Sequence, residues 1–266
     1  MVIARSTETV LQADSMLRFV PRGIKQLARR FIESRGFIRG TPAADLDTVM
    51  GRHLDVSVET VIDVGASDGH WSARMIRYFP KANYLLIEAQ ETAHGAALQK
   101  FKAAHSNVEY ELCAAGDREG EIYFDASDPM GGQASATPYP KNNVSVPLST
   151  IDTLVRRRNL RGPFLIKLDT HGYEVPILEG ARQTMAQSAM LIIEAYNFTL
   201  CPGALRFYEL CQFLELRGFR CVDMFDLMNR PGDHAFWQMD MVFLPAAHAV
   251  FQSNRYTPET RTTTSK

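Results

Sequence analysis

From Thr60 to Leu244 the chain alternates short apolar runs with stretches whose apolar residues recur every three or four positions. Runs at 60–64, 84–88, 108–113, 164–169, 190–194, 219–225 and 237–244 predict strands, and helical periodicity falls at 71–79, 92–104, 174–186 and 204–217. Strictly alternating strands and helices imply an α/β fold, a parallel sheet with helices on both faces. The last two strands are joined only by Asp226 to Phe236, with Pro231-Gly232 as a turn and no helical pattern between. They are therefore expected to be antiparallel neighbours.

Three segments depart from this alternation. Segment 114–150 is punctuated by Gly116, Gly120, Pro129, Gly131, Gly132, Pro138, Pro140 and Pro147. It predicts a short hairpin near Glu121–Phe124 and a loop from Asp125 to Lys141, either a lid or substrate loop or a disordered insertion. Residues 1–55 read as helical, and Arg22, Lys25, Arg29, Arg30, Arg35 and Arg39 alternate there with Ile24, Leu27, Phe31 and Ile32. One reading is a basic amphipathic helix touching a membrane surface or acidic partner. The favoured one is a helical cap with its arginines in solvent. Residues 249–266 carry few apolar groups and are expected to form a flexible tail. The expected organisation is thus a cap at 1–55, one catalytic domain at 56–248, and the tail.

A chain of 266 residues can bury a substantial core. Its net charge of −1 and pI near 6.7 give no global attraction to nucleic acid. No apolar stretch is long enough to span a bilayer, and no secretory signal pattern is present at the N-terminus. Cys113, Cys201, Cys211 and Cys221 form no Cys-x-x-Cys pair. Reduced thiols in a cytoplasmic protein are the default expectation.

The most informative stretch is Val61-Ile-Asp-Val-Gly-Ala-Ser-Asp-Gly-His-Trp71, followed by Leu85-Leu-Ile-Glu88. It reads as a strand, a glycine turn, a helix, and a second strand that closes on a carboxylate. Glycines let backbone approach a ligand closely, and a strand-end carboxylate can accept both hydroxyls of a ribose. A dinucleotide site wants Gly-x-Gly-x-x-Gly, but Ser67 and His70 stand at its second and third glycine positions. Asp68 inside the turn would also repel a diphosphate. An adenosine ligand without phosphates and with an ammonium group fits better, and S-adenosylmethionine is such a ligand. The competing classes are a nicotinamide-dependent dehydrogenase and a non-catalytic nucleoside-binding protein that retains the fold.

Asp63-Val-Gly-Ala-Ser-Asp-Gly69 resembles motif I of class I S-adenosylmethionine-dependent methyltransferases. Four further segments resemble the FkbM family among them: Ala115–Gly120, Ser149–Leu154, Ile166-Lys-Leu-Asp-Thr-His-Gly-Tyr-Glu-Val-Pro-Ile-Leu-Glu-Gly-Ala181, and Met239-Asp-Met-Val-Phe243. The resemblance covers about Thr60 to Leu244. It implies a Rossmann-like, seven-stranded, mostly parallel sheet ending in an antiparallel hairpin, and methylation of a hydroxyl on a sugar, glycan or natural product. Many members carry Glu where His171 stands here, so this chain departs from the usual Asp-x-Glu-Gly pattern.

In parallel α/β sheets ligands bind beyond the carboxyl ends of the strands. That rule gives the expected site. Asp63, Gly65, Ala66, Ser67, Asp68 and Gly69 would hold the methionine portion, with Asp63 or Asp68 pairing with its ammonium. Glu88, followed by Ala89, would take the ribose, and Ala115 and Asp117 would lie beside adenine. His171 is the candidate general base, since imidazole is the side chain that changes protonation nearest neutrality. Asp169 would orient it or sit near the reacting centre. The bland alternative is that His171 caps the helix starting near Tyr173. Glu194, Asn197, Trp237 and Asp240 are the candidate acceptor contacts. Lys167 is read as structural, paired with a carboxylate, and His70, His94, His105 and His234 as surface or capping residues. A hard divalent cation on Asp169, His171, Glu194 and Asp240 is a less favoured alternative to a general base, without a contiguous metal motif to support it. Acceptor identity and oligomeric state are not encoded in any recognisable motif.

Overall fold

The structure is a computed structural model that describes residues 44–141 and 143–255. The basic segment Arg22–Arg39 lies outside the described residues, as does the tail beyond Arg255. The compact unit begins at Ala43. Its first helix, α1 (Leu46–Arg52), capped by Asp45 at the Thr48 amide, falls within the segment assigned by sequence to the N-terminal cap. It nevertheless buries Leu46, Val49 and Met50 in the sheet's core.

The main sheet contains β1 (Thr60–Val64), β2 (Asn83–Glu88), β3 (Val108–Leu112), β8 (Phe164–Leu168), β9 (Ser188–Tyr196), β10 (Phe219–Asn229) and β11 (Phe236–Pro245). Their order is β10-β11-β9-β8-β1-β2-β3. The pairs among β9, β8, β1, β2 and β3 are parallel, while β11 runs antiparallel to both β9 and β10. This is the expected seven-stranded sheet with its terminal hairpin. All five residues of β1 and of β8 are buried, because both faces are covered. One face packs α4 (Ile151–Arg157), α5 (Glu174–Glu179), α6 (Arg182–Met185) and α7 (Phe207–Glu215) against Ile62, Leu85, Ile166 and Leu191. The other packs α1, α2 (His70–Met75) and α3 (Glu91–Ala104) against Val61, Leu86, Leu165 and Ile192. The single helix read over 174–186 is two helices broken at Gly180-Ala181.

Segment 114–150 is more ordered than its turn residues suggest. β4 (Ala114–Ala115), β5 (Gly120–Asp125), β6 (Gln133–Ser135) and β7 (Asn143–Ser149) form a second sheet, order β4-β7-β5-β6. Ile122, Phe124, Ala134, Val146 and Leu148 give it a small core. The loop expected over 125–141 is therefore interrupted by β6, which pairs with β5 through Tyr123–Ser135 and Asp125–Gln133. Likewise, the head of the expected tail is a 3-10 turn, Ala249–Gln252, whose Phe251 packs against the core with the Arg220 guanidinium 4.4 Å from its ring.

Candidate functional site

β1 and β8 are neighbours, yet the chain leaves them toward opposite edges of the sheet, so the helices that follow diverge and open a crevice. A cleft occupies it, open to solvent on one side. From the expected cofactor set it is lined by Gly65, Ser67, Glu88, Ala89 and Ala115, and from the expected catalytic pair by Asp169 and His171.

The glycine turn explains itself at two positions. Gly65 has φ +74°, and a β-carbon there would stand 2.0 Å from the carbonyl oxygen of Asp169. Gly69, φ +83°, is the N-cap of α2, and its α-hydrogen side faces the Phe101 ring. Between them Ser67 also takes a left-handed backbone, φ +49°. Its amide donates to Glu88 Oε2 at 2.8 Å, while Glu88 Oε1 accepts the Gln90 amide at 2.8 Å. Each carboxylate oxygen retains a further lone pair for a ligand hydroxyl.

Other expected cofactor contacts sit elsewhere. Asp63 is completely buried beneath the turn, where Oδ2 accepts the Ser72 hydroxyl at 2.7 Å and Oδ1 lies 3.7 Å from Lys167 Nζ. Burial pushes its pKa up even though Lys167 and Ser72 pull it down. Asp68 is exposed, and its carboxylate accepts the His70 amide at the start of α2. Neither carboxylate lines the cleft. Ala66 and Gly69 are likewise turned into the core, and Asp117 is exposed and paired with Arg118 at 2.9 Å. The carboxylate that does reach the cleft beside Gly65 is Asp169.

Asp169 heads a half-buried polar group. Its Oδ2 accepts Lys167 Nζ at 2.9 Å, and its Oδ1 lies 3.6 Å from His171 Nε2. Burial opposes its ionised form, but the Lys167 ammonium outweighs this and holds its pKa below the usual carboxylate range. Lys167 itself is buried; desolvation would lower its pKa, yet Asp169 and Asp63 together raise it. Glu194, on β9, lies 3.8 Å from His171 Nε2 and accepts the Tyr196 hydroxyl and the Gln238 amide. Burial, reinforced by the Asp169 charge, pushes its pKa up to about 9. Asp240 pairs in register with Glu194, and burial pushes it up to about 7 against the pull of Lys167.

His171 follows Asp169 on a turn with φ +52°, and its Nδ1 stands 3.3 Å from the Gly132 carbonyl oxygen. It does not cap α5: the helix has no side-chain cap, and the Gly172 amide bonds Glu174 instead. Asn197 spends its amides on β11, donating from N to the Trp237 carbonyl at 2.9 Å and from Nδ2 to the Phe236 carbonyl at 3.2 Å. Trp237 packs between Tyr196 and Phe198, with ring centroids at 5.7 and 5.3 Å. Glu194, Asn197, Trp237 and Asp240 therefore lie outside the cleft lining, on the β9–β11 side of His171.

Sequence reading did not single out Gln90 or Tyr173, and it covered Pro129, Met130 and Gly132 only as part of the 125–141 loop read as a lid or substrate loop. It also misread His94, which is buried and bridges Ser67 Oγ at 3.5 Å and the Pro129 carbonyl at 2.8 Å. A signal existed: His94 is four residues before the buried Leu98, hence on the inward face of α3.

The sequence profile described as "Methyltransferase FkbM domain" matches residues 63–221, more than half of the chain. The protein belongs to this family. The chain is 22% identical over 199 residues to the 2-O-methyltransferase NoeI of Sinorhizobium fredii (strain NBRC 101917 / NGR234), covering 68% of this chain and 81% of that protein. Among solved structures it is similar to an S-adenosylmethionine-dependent methyltransferase from Aquifex aeolicus, with 15% identity, a TM-score of 0.41, and 86% and 100% of the two chains covered. It is also similar to precorrin-6y C5,15-methyltransferase from Geobacter metallireducens, with 10% identity, a TM-score of 0.42, and 77% and 91% coverage.

An S-adenosylmethionine-dependent methyltransferase must hold adenosine and a sulfonium, and the cleft fits both. Ile87, Ala114, Ala115 and Ile177 offer apolar surface to a base, Glu88 offers acceptors to a ribose, and Gly65 allows close backbone approach. Glu88 and Asp169 line it and, among the described residues, no lysine or arginine does, although Lys167 pairs with Asp169 from outside the lining. Three ligand atoms, one each from Asp169, His171 and Glu194, also lie within 4.8 Å of one another; Asp240 is not part of this cluster. Among the described residues no helix is long and apolar enough to cross a membrane.

Proposed function

We propose that this protein transfers a methyl group from S-adenosylmethionine to a hydroxyl oxygen of a sugar, glycan or natural-product acceptor. The observation that carries the reading is the position of His171 Nε2, on the edge of the cofactor cleft and facing Asp169 and Glu194. Glu88 would hold the ribose, Ala115 would lie beside the base, and Asp169 would pair with the ammonium in place of the buried Asp63. When bound, the cofactor supplies an electrophilic methyl. The protein's remaining tasks are alignment, exclusion of water, and acceptance of the acceptor's proton. His171 Nε2 takes that proton, and the ionised Asp169 stabilises the imidazolium that results. Glu194, Asn197, Trp237 and Asp240 border the side from which an acceptor would approach. The 2-O-methyl transfer named for the Sinorhizobium fredii relative supports oxygen as the atom methylated.

The test is transfer of isotopic methyl from labelled S-adenosylmethionine to a panel of hydroxylated acceptors, with calorimetry for cofactor binding. Saturable heat with label in an ether linkage is the expected result. No heat of binding would instead make the chain a non-catalytic relative. The cluster at Asp169, His171 and Glu194 gives a second reading, in which a divalent cation lowers the acceptor hydroxyl's pKa.

A further inference from the structure

Segment Asp128–Gln133 crosses the cleft as a strap fixed at both ends. On the cofactor side, Gln90 Nε2 donates to the carbonyls of Asp128 and Pro129, each at 3.1 Å. The buried His94 reaches the Pro129 carbonyl from Nε2 at 2.8 Å. A carbonyl only accepts, so the proton of neutral His94 sits on Nε2, leaving Nδ1 to face the Ser67 hydroxyl of the glycine turn. Gly132 is hemmed in: a β-carbon there would meet Phe124 Cε1 at 2.5 Å and Gln90 Nε2 at 2.7 Å.

The other end meets His171 twice. The Gly132 carbonyl faces Nδ1 at 3.3 Å, and Gln133 Nε2 donates to the His171 carbonyl at 2.9 Å. His171 needs that second contact, because a left-handed backbone at a residue with a side chain is strained and persists only where neighbours enforce it. We propose that Gly132 and Gln133 are positioning residues for His171. Gln133 holds the backbone of the turn, and the Gly132 carbonyl fixes the imidazole as its Nδ1–H tautomer. Nε2 is then the unprotonated nitrogen, with Asp169 Oδ1 at 3.6 Å and Glu194 Oε2 at 3.8 Å beside it. The strap thereby ties the geometry of the base to an element that lines the cleft. This assignment rests on the reading of His171 as the base.

The experiment is long-range ¹H–¹⁵N correlation on the full chain labelled at histidine nitrogen, with the His171 signals identified by their loss in His171→Gln. The wild-type protein should show Nδ1–H at His171. Gln133→Ala should release it to an Nε2–H or exchanging population, and lower kcat roughly 10- to 100-fold with the cofactor KM little changed. Gln133→Glu, which keeps the shape but lacks the amide donor, should do the same; a packing role predicts near wild-type behaviour. Nε2–H in the wild-type protein, or an unmoved Nδ1–H signal in both variants, overturns the proposal. The tautomer readout does not need turnover, so absence of methyl transfer would sink the proposed function while leaving this proposal decided by the spectra.

Discussion

Glu88 Oε2 accepts the amide of Ser67 at 2.8 Å, so the carboxylate that ends β2 also fixes the left-handed residue of the glycine turn. Its other oxygen takes Gln90 N. Glu88→Gln can satisfy only one of these amides, because its NH2 would oppose the second. The stranded donor costs about 1–3 kcal/mol, and one ribose acceptor is lost as well. The melting temperature should fall, and S-adenosylmethionine affinity should drop roughly 10-fold or more by calorimetry. Unchanged affinity would remove Glu88 from the ribose site.

Gly65 and Gly203 give a matched pair. Both have left-handed backbones, φ +74° and +89°, but a β-carbon at 65 would stand 2.0 Å from the Asp169 carbonyl oxygen while 203 is open. Replacement by alanine costs each about 1–2 kcal/mol of backbone strain. Only Gly65→Ala should also displace Asp169 from the turn. Cofactor binding should therefore vanish in Gly65→Ala and survive in Gly203→Ala, measured on folded protein at the same temperature.

The sheet and the cofactor turn were legible because long periodic segments and a strand-end carboxylate are local signals. β1, read as 60–64, spans those residues. Asp63 is buried against Lys167 for a topological reason that no local pattern shows. It stands opposite Lys167 only because β1 and β8 are adjacent in register. The second sheet was read largely as loop since β4 and β6 have two and three residues, too short for alternation to register, and Pro147 within β7 argues against a strand. The strap's contacts to His171 also arise from that sheet, and so the base was visible while its support was not.

Glu194 makes a pH prediction with a definite sign. Its folded pKa, about 9, lies above its ordinary value of 4.5, so the folded state binds a proton that the unfolded chain has released. Stability from this group is fully present below about 4.5 and is lost as pH rises toward 9. Glu194→Gln, a neutral isostere, should melt higher than wild type at pH 8. The advantage should shrink as pH falls and vanish only below about 4.5, where wild-type Glu194 becomes protonated in both states. A constant difference across this range would show that Glu194 is ionised in the fold.

His171→Ala should lower kcat by roughly 10²–10⁴-fold, the usual worth of a positioned general base. Cofactor affinity should stay nearly intact, since Gly65, Ser67 and Glu88 remain in place. A parallel loss of both quantities in calorimetry and initial-rate assays would make His171 a scaffold for the cofactor instead.

Lys167 bears on whether metal takes part. Its Nζ sits 2.9 Å from Asp169 Oδ2 and 3.7 Å from Asp63 Oδ1, so a fixed positive charge already neutralises the carboxylates at this point. A divalent ion bridging Asp169, His171 and Glu194 would have to displace the proton on Glu194 and coexist with that ammonium. It would also occupy His171 Nε2, the nitrogen needed to receive the acceptor's proton. Activity should therefore survive exhaustive chelation, and added Mg²⁺ or Mn²⁺ should not raise it. Activity lost to chelation and restored by one of these ions would assign the three side chains as ligands and transfer the base's role to a metal-activated hydroxyl.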